Sequence, residues 1–259
     1  YYWKGKIPAA VLFATVPFGL NAQEMNGWLH YGGGLELWRK IYAPFNLVPF
    51  AGGNTGVQMA GWFNKEVNSI EDFKGLKMRI PGTGGDVFSR AGGTAVSMPG
   101  GEIYTSLQTG VIDAAEWVAP YNDLAFGFND IAKYYYYPGW HEPGTMLEFI
   151  VNKQVLNSLP EDLRTIVEVA TRAVNQDMLD EYTARNNAAL VELRNKGVEI
   201  RPLPGAVLDR LQELSIQVLE EHSESNADFN TVYNSYLQFA NGVTPYHKIS
   251  EQANYDTRK

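Results

Sequence analysis

Four side chains carry most of the chemistry this sequence can do: Gln58, Arg79, Glu116 and Glu142. Glu116 ends an apolar run and stands beside Trp117 in "AAEWVAPYND". A charge withdrawn from water is costly unless it is paired, so Glu116 must face a base, a metal ion, a ligand or solvent. Arg79 lies in "LKMRIPG" between Met78 and Ile80. Strand alternation sends it to the face opposite these two. A guanidinium holds a carboxylate through two parallel hydrogen bonds; a structural ion pair is the competing role. Glu142 sits in the aromatic block "YYYYPGWHEPG", flanked like Glu116 by a tryptophan and turn residues, and Gln58 lies in the turn of "GGNTGVQMAGWF". Carboxylate, amide and carbonyl oxygens form the ligand set of hard cations such as Na⁺ or Ca²⁺. A glycosidase-like pair made of Glu116 and Glu142 is the alternative, although nothing beyond aromatic residues signals a sugar.

Other chemistries are weakly represented or absent. There is no cysteine, which removes thiol catalysis, disulfides and thiolate metal sites. The four histidines, His30, His141, His222 and His247, form no HExxH pair and stand near no nucleophile elbow. His222 and His247 read as solvated surface, and His141, beside Glu142, reads as an orienting residue. "PGTGGD" matches neither GxGxxG nor GxxxxGK[ST] and reads as a tight strand-to-helix turn, which still leaves backbone N–H groups near Arg79. A net charge of −8 argues against nucleic acid as a partner. No window of about 18 uninterrupted apolar residues marks a membrane span.

The elements that must position these residues are legible from periodicity and punctuation. The first fifty residues are turn-rich, with "FGL", "YGGG" and "FAGGNTG" around a short amphipathic helix in "GLELWRKIYAPF" and a buried strand in "FNLVPF". From Leu76 the pattern alternates: strand "LKMRIPG", helix "GGDVFSRAGG", strand "TAVSMP", helix "GGEIYTSLQTG", strand "VIDAAEWV". Such alternation predicts parallel βαβ units, whose ligands bind at the carboxyl ends of the strands. Arg79 and Glu116 therefore fall on one rim. "TMLEFIVNKQVL" alternates like a strand. A long helix is predicted from Pro160 to about Leu193, with Leu163, Ile166, Val167, Ala170 and Val174 at helical spacing and Gly197 closing it. A strand in "VEIRPLPG" and helices over about 206–221 and 227–241 follow. The polar tail from Thr244 is expected to fray. With 45% hydrophobic residues the 259-residue chain can build one large domain or two lobes.

These stretches also carry a family resemblance. "NTGVQMAGWF", the segment from "DFKGLKMRIPG" to "VAPYND", and "YYYYPGWHEPG" together resemble the DctP-type solute-binding proteins of TRAP transporters. Within them the chain most resembles the branch that binds 2-oxo and 2-hydroxy monocarboxylates such as pyruvate or lactate. The carrying pattern runs from Phe73 to Arg79, through Gly92-Gly93 and Pro99, to Glu102-x-Tyr104-x-x-Leu107-Gln108-x-Gly110-x-x-Asp113. The resemblance implies an α/β, two-lobed periplasmic-binding-protein fold with a long helix bridging both lobes and a C-terminal helical extension. It implies one lobe from residues 1–53 and 144–198, a second from 54–143 and 199–222, and a C-terminal element over 223–259. It implies a periplasmic, non-enzymatic protein that hands a small carboxylate to membrane permease subunits. The family's carboxylate-binding arginine falls on Arg79. A cation, Na⁺ or Ca²⁺, bridging protein and ligand would be held by the Gln58 side chain, the Glu116 carboxylate, the Trp117 carbonyl and the Glu142 carboxylate. Phe18, with Tyr2 and Trp62, would line the ligand. Trp117 stands where sialic-acid-type relatives carry Asn, so a large sugar acid is not expected. The resemblance also implies a further strand–helix–strand portion of the first lobe upstream of Tyr1. Relatives dimerise through a terminal helix, and Phe229, Tyr233, Tyr236, Leu237 and Phe239 suggest a homodimer here, with packing against the chain itself as the alternative.

Overall fold

The structure is a computed structural model and describes residues 1–258. Its N-terminal portion is organised by an aromatic stack: Phe13 lies flat between Trp28 and Trp38, with ring centroids 5.6 and 5.3 Å away. These rings come from three helices, α1 (Ala10–Ala14), α2 (Ala22–Tyr31) and α3 (Gly34–Tyr42). Asn21 and Glu24 form a capping box that fixes the start of α2. The chain then runs through β1 (Leu47–Asn54), which pairs antiparallel with a strand from much later in the sequence.

A second layer is built on a six-stranded sheet. In chain order its members are β2 (Gly61–Phe63), β3 (Lys77–Arg79), α4 (Gly82–Arg90), β4 (Thr94–Val96), α5 (Gly100–Gln108), β5 (Ala114–Ala115), α6 (Pro120–Ala125) and β6 (Tyr134–Tyr137). Then come β1's partner, β7 (Met146–Asn152), α7 (Lys153–Ser158), α8 (Glu161–Asn195) and β8 (Glu199–Pro202), which returns to the large sheet. The spatial order is β4-β3-β5-β2-β6-β8. β3 pairs parallel with both β4 and β5, as the alternating pattern predicts, while β2 is inserted antiparallel between β5 and β6. One face of the sheet packs Val87 and Phe88 of α4 against Val207, Leu211, Leu214 and Val218 of α9 (Gly205–Ser225). The other packs Ile103 and Leu107 of α5 against Trp62, Phe128 and Tyr135.

Several boundaries differ from expectation for local reasons. The strand read in "VIDAAEWV" is only two residues long, because α6 starts at Pro120 and the chain must leave the sheet to reach it. Gly82 takes the left-handed conformation (φ 66°), a turn that glycine adopts without strain, and α4 begins there rather than near Gly85. The tail from Thr244, expected to fray, is helical. α10 (Ala227–His247) runs on through a π turn at Lys248–Gln252 into α11 (Ala253–Thr257).

α8 is 35 residues long and packs against both β1, through Met178, and α6, through Tyr182 and Asn186, so it reaches both lobes. Gly53 permits its close approach to β1, since a Cβ there would collide with Met178 Sδ. The face turned inward carries Thr171, Asn175, Ala189 and Leu193. The apolar stripe read from spacing points the other way: Leu163, Ile166 and Val174 are exposed. In α10 the reverse holds. Phe229, Tyr233 and Tyr236, offered by the sequence as a dimer surface, are buried in the first-lobe core beside Trp28, and Leu237 and Phe239 pack partly against it. Among the described residues no helix is long and apolar enough to cross a membrane.

Candidate functional site

Arg79 and Glu116 meet because β3 and β5 are parallel neighbours in register, with Arg79 opposite Ala115. Both leave the sheet at the same carboxyl edge. Their side chains are 1% and 0% exposed, and Arg79 Nη1 bonds Glu116 Oε1 directly and donates to the Glu116 carbonyl at 3.1 Å. Nη2 donates to the phenol of Tyr2 at 3.1 Å. The guanidinium also lies 5.3 Å from the Trp117 ring, a cation–π contact. One edge of the guanidinium thus serves Glu116. The other, Nε with Nη2, carries only a tyrosine from an exposed residue, and Nε has no partner. Burial works against the charge on Arg79, but Glu116, Tyr2, Tyr1 and Glu142 around it hold its pKa above the ordinary value.

The second half of the site hangs on the loop between β6 and β7. Thr145 Oγ1 donates to Glu142 Oε2 at 2.6 Å. The Gln58 amide donates through Nε2 to Thr145 Oγ1 and Thr55 Oγ1, both at 3.3 Å. Gln58 is tied to the loop through its backbone too: its N–H reaches the Glu142 carbonyl at 3.1 Å and its carbonyl accepts Gly139 N–H at 2.9 Å. With Nε2 so engaged, Gln58 Oε1 is left buried and without a partner, as is Glu116 Oε2. His141 lies between the acids, its Nε2 3.5 Å from Glu116 Oε2, and neither ring nitrogen has a hydrogen-bond partner. Ligating atoms of Glu116, His141 and Glu142 lie within 4.8 Å of one another. Burial, and then the Glu116 carboxylate, push the pKa of Glu142 well above the usual carboxylate range.

Buried acceptor oxygens with no donor, next to a carboxylate whose pKa burial raises, are groups whose chemistry suits a cation. The donor set is almost all oxygen, which suits a hard ion.

Gln58, Arg79, Glu116 and Glu142 are therefore brought into one buried network, and Trp117 joins it through its ring. Tyr2 touches Arg79 directly. Phe18 packs 5.8 Å from Trp140, the neighbour of His141, and its backbone N–H bonds the Trp140 carbonyl at 2.7 Å. Trp62 is fully buried, stacked on Tyr135 at 4.0 Å, with its indole N–H given to Asp123. His222 and His247 are half-buried and face carboxylates rather than being freely solvated. His222 Nε2 is 2.9 Å from Asp86, which also takes Lys4, and His247 Nδ1 is 2.6 Å from Glu24. Thr55 and Thr145 were missed by sequence reading. Thr145 does carry a signal, a hydroxyl three residues after a turn carboxylate.

The sequence matches the family described as bacterial extracellular solute-binding protein, family 7, over residues 1–226. The chain belongs to this family. It is 45% identical over 251 residues to the monocarboxylate 2-oxoacid-binding periplasmic protein of Nostoc sp., covering 97% of this chain and 69% of that protein. Two other curated solute-binding proteins, from Albidiferax ferrireducens and Chromohalobacter salexigens, are spanned over 63% and 66% of their lengths. A TRAP periplasmic solute-binding protein of Colwellia psychrerythraea, solved with calcium and pyruvate, superposes with a TM-score of 0.97 at 42% identity, covering 100% of this chain and 79% of that one. That of Pseudoalteromonas atlantica, solved with sodium and pyruvate, gives 0.96 at 41%, with 100% and 79% covered. A relative from Bordetella bronchiseptica, described as a mixed-occupancy dimer with calcium and picolinate in one site, gives 0.96 at 39%, with 98% and 76% covered. The family is one of transport solute-binding proteins, and the Nostoc, Colwellia and Pseudoalteromonas relatives are described as periplasmic.

Proposed function

We propose that this chain is the periplasmic solute-binding subunit of a TRAP transporter, capturing a small 2-oxo or 2-hydroxy monocarboxylate and presenting it to the membrane permease. The observation that carries the reading is the divided use of Arg79. Nη1 is spent on Glu116, while the Nε–Nη2 edge has only the Tyr2 phenol for a partner, and Gln58 Oε1 and Glu116 Oε2 are buried without one. The ligand carboxylate takes that edge, sharing or displacing the Tyr2 phenol. Gln58 Oε1, the Glu116 and Glu142 carboxylates and the Trp117 carbonyl hold Na⁺ or Ca²⁺. When bound, the cation supplies the positive charge that a carboxylate oxygen and a C2 oxygen both require. A ligand without oxygen at C2 leaves buried polar groups unpaired and is rejected. The relatives solved with pyruvate and calcium or sodium support this assignment.

Residues 1–53 with 144–198 form one lobe in this reading and 54–143 with 199–222 the other. They close on the ligand while α8 spans both. A homodimer through the C-terminal helix would use its outer side, where Tyr246, Ile249 and Tyr255 are exposed, because Phe229, Tyr233 and Tyr236 are occupied within the chain. The geometry gives the hydrolase alternative little to work with, since Glu116 already shares its charge with Arg79. Calorimetric titration with pyruvate, with calcium or sodium present and after chelation in sodium-free buffer, tests the proposal. Binding is expected only with a cation. Equal affinity in both conditions removes the bridging ion from the account, and no binding of any short 2-oxo or 2-hydroxy acid removes the proposal.

A further inference from the structure

Behind the site lies a buried carboxylate that the ligand set does not use. Asp123, on α6, is 1% exposed. Its Oδ1 accepts the Val118 N–H at 3.0 Å, and its Oδ2 accepts Trp62 Nε1–H at 2.9 Å and Tyr135 Oη–H at 2.7 Å. No arginine or lysine is among these partners. A carboxylate buried with only neutral donors is costly relative to an apolar residue, so its position calls for a reason.

The reason lies in what Val118 touches. Val118 follows Trp117, and its carbonyl accepts the N–H of Met59 at 3.0 Å. Met59 follows Gln58. One residue therefore links the backbone of Glu116 and Trp117 to that of Gln58, and Asp123 grips its N–H. α6 is in turn fixed to the bridging helix: Asn186 Oδ1 accepts Tyr121 N–H at 2.9 Å, and Asn122 Nδ2 donates to Tyr182 Oη at 3.1 Å. Trp62 and Tyr135 stack 4.0 Å apart, so the two donors on Oδ2 come from one rigid aromatic pair.

We propose that Asp123 is a positioning residue of the ligand site, holding the Val118 backbone so that Glu116, the Trp117 carbonyl and Gln58 converge on one cation. The inference rests on the cation reading given under Proposed function. The substitution Asp123→Asn would keep the shape and keep an acceptor for Val118. It would also place an NH₂ where Oδ2 receives the indole N–H, setting donor against donor, whereas the Tyr135 hydroxyl can rotate to accept. Partners that orient ligating groups typically change metal affinity by about 10- to 100-fold when removed.

The test is calcium titration of the chelator-treated full chain by calorimetry, without pyruvate, on wild type, Asp123→Asn and Tyr135→Phe. Tyr135→Phe deletes one donor to Oδ2 and keeps the carboxylate. Amide hydrogen exchange around Val118 and a thermal melt accompany each titration. Asp123→Asn is expected to melt cooperatively, to exchange faster at Val118 and to bind calcium about tenfold or more weakly. Its pyruvate affinity should recover towards wild type once calcium saturates. Tyr135→Phe should weaken calcium binding less, and it carries the test if Asp123→Asn does not fold. A lower melting temperature with unchanged calcium affinity in both variants assigns Asp123 a purely structural role and overturns the inference while leaving the cation reading intact. A wild type that binds no cation overturns both.

Discussion

Arg79→Lys separates the two duties of the arginine more cleanly than its removal does. Arg79 and Glu116 are both essentially fully buried. Taking the charge away, as in Arg79→Met, would strand a buried carboxylate and cost about 3–5 kcal/mol. In a chain of this size that is a melting-temperature loss on the order of 10 °C, and lost ligand binding would then be uninformative. Lysine keeps a positive charge facing Glu116, so the fold should survive. What it lacks is the planar Nε–Nη2 edge. The ligand carboxylate then keeps one charge-assisted hydrogen bond where it had two. One such bond to a charged group contributes about 1.5–3 kcal/mol, and about 1.4 kcal/mol is a factor of ten in affinity. Pyruvate should bind Arg79→Lys roughly 10- to 100-fold more weakly at saturating calcium. Calorimetry gives that ratio, and a thermal melt without ligand shows whether the variant is folded. A well-folded Arg79→Lys with wild-type affinity would refute the idea that this edge is the carboxylate clamp, and would leave Arg79 as the structural partner of Glu116.

Three further outcomes are expected. Gln58→Leu preserves volume but removes the unpaired Oε1; calcium affinity should fall at least about tenfold, while unchanged calcium titration would take Gln58 out of the cation's ligand set. Burial raises Asp123 from 3.8 to about 7, so the folded chain binds more protons there than the unfolded chain does across that window. Stability from this group is therefore complete below the lower value and is lost as pH rises through the upper one. The metal-free melting temperature of wild type should fall more between about pH 5 and about pH 7 than that of Asp123→Asn, and parallel curves would show that Asp123 does not titrate in that range. Gly53→Val puts a branched side chain into Met178 on α8; overpacking of this kind costs about 1–3 kcal/mol, visible in urea denaturation, and wild-type stability would mean that α8 does not press on β1 at that point.

How much of this was legible depended on whether a signal was local. The strand–helix alternation after Leu76 placed Arg79 and Glu116 on one rim, and the parallel register of β3 and β5 delivers them there. That rests on period-two patterning and chain direction, both written in consecutive residues. Spacing also found α8 but chose its wrong face. An apolar stripe reports that a face is greasy, not what covers it, and the face that α8 buries carries Thr171, Asn175, Ala189 and Leu193 instead. The same limit explains α10, whose aromatic residues looked like a surface because the core they fill is assembled from helices about two hundred residues earlier. The resemblance named Gln58 and Glu142 as partners; spacing alone left them as two acidic or amide turns among several. Thr55, Thr145 and Asp123 hold those ligands in place from separate segments, and no short window of sequence shows that they meet.

Charge counting links these pieces. Glu116 and Glu142 bring two potential negative charges into a buried space and Arg79 brings one positive charge. A bound 2-oxo acid adds another negative charge. Were all these groups ionised, a divalent ion would close the balance and a monovalent ion would leave one negative charge over. Without either, the incoming carboxylate would meet Glu116 and Glu142 across a short, poorly screened distance, where like charges repel strongly. The arginine that attracts the ligand is already half neutralised by Glu116, so it cannot offset both acids alone. Ligand and cation binding must then be coupled, each raising the affinity of the other by the same factor. On the proposed reading, a site arranged this way would capture its acid only when the ion is present, and the acids that read as an alternative catalytic pair in the sequence would impose that condition.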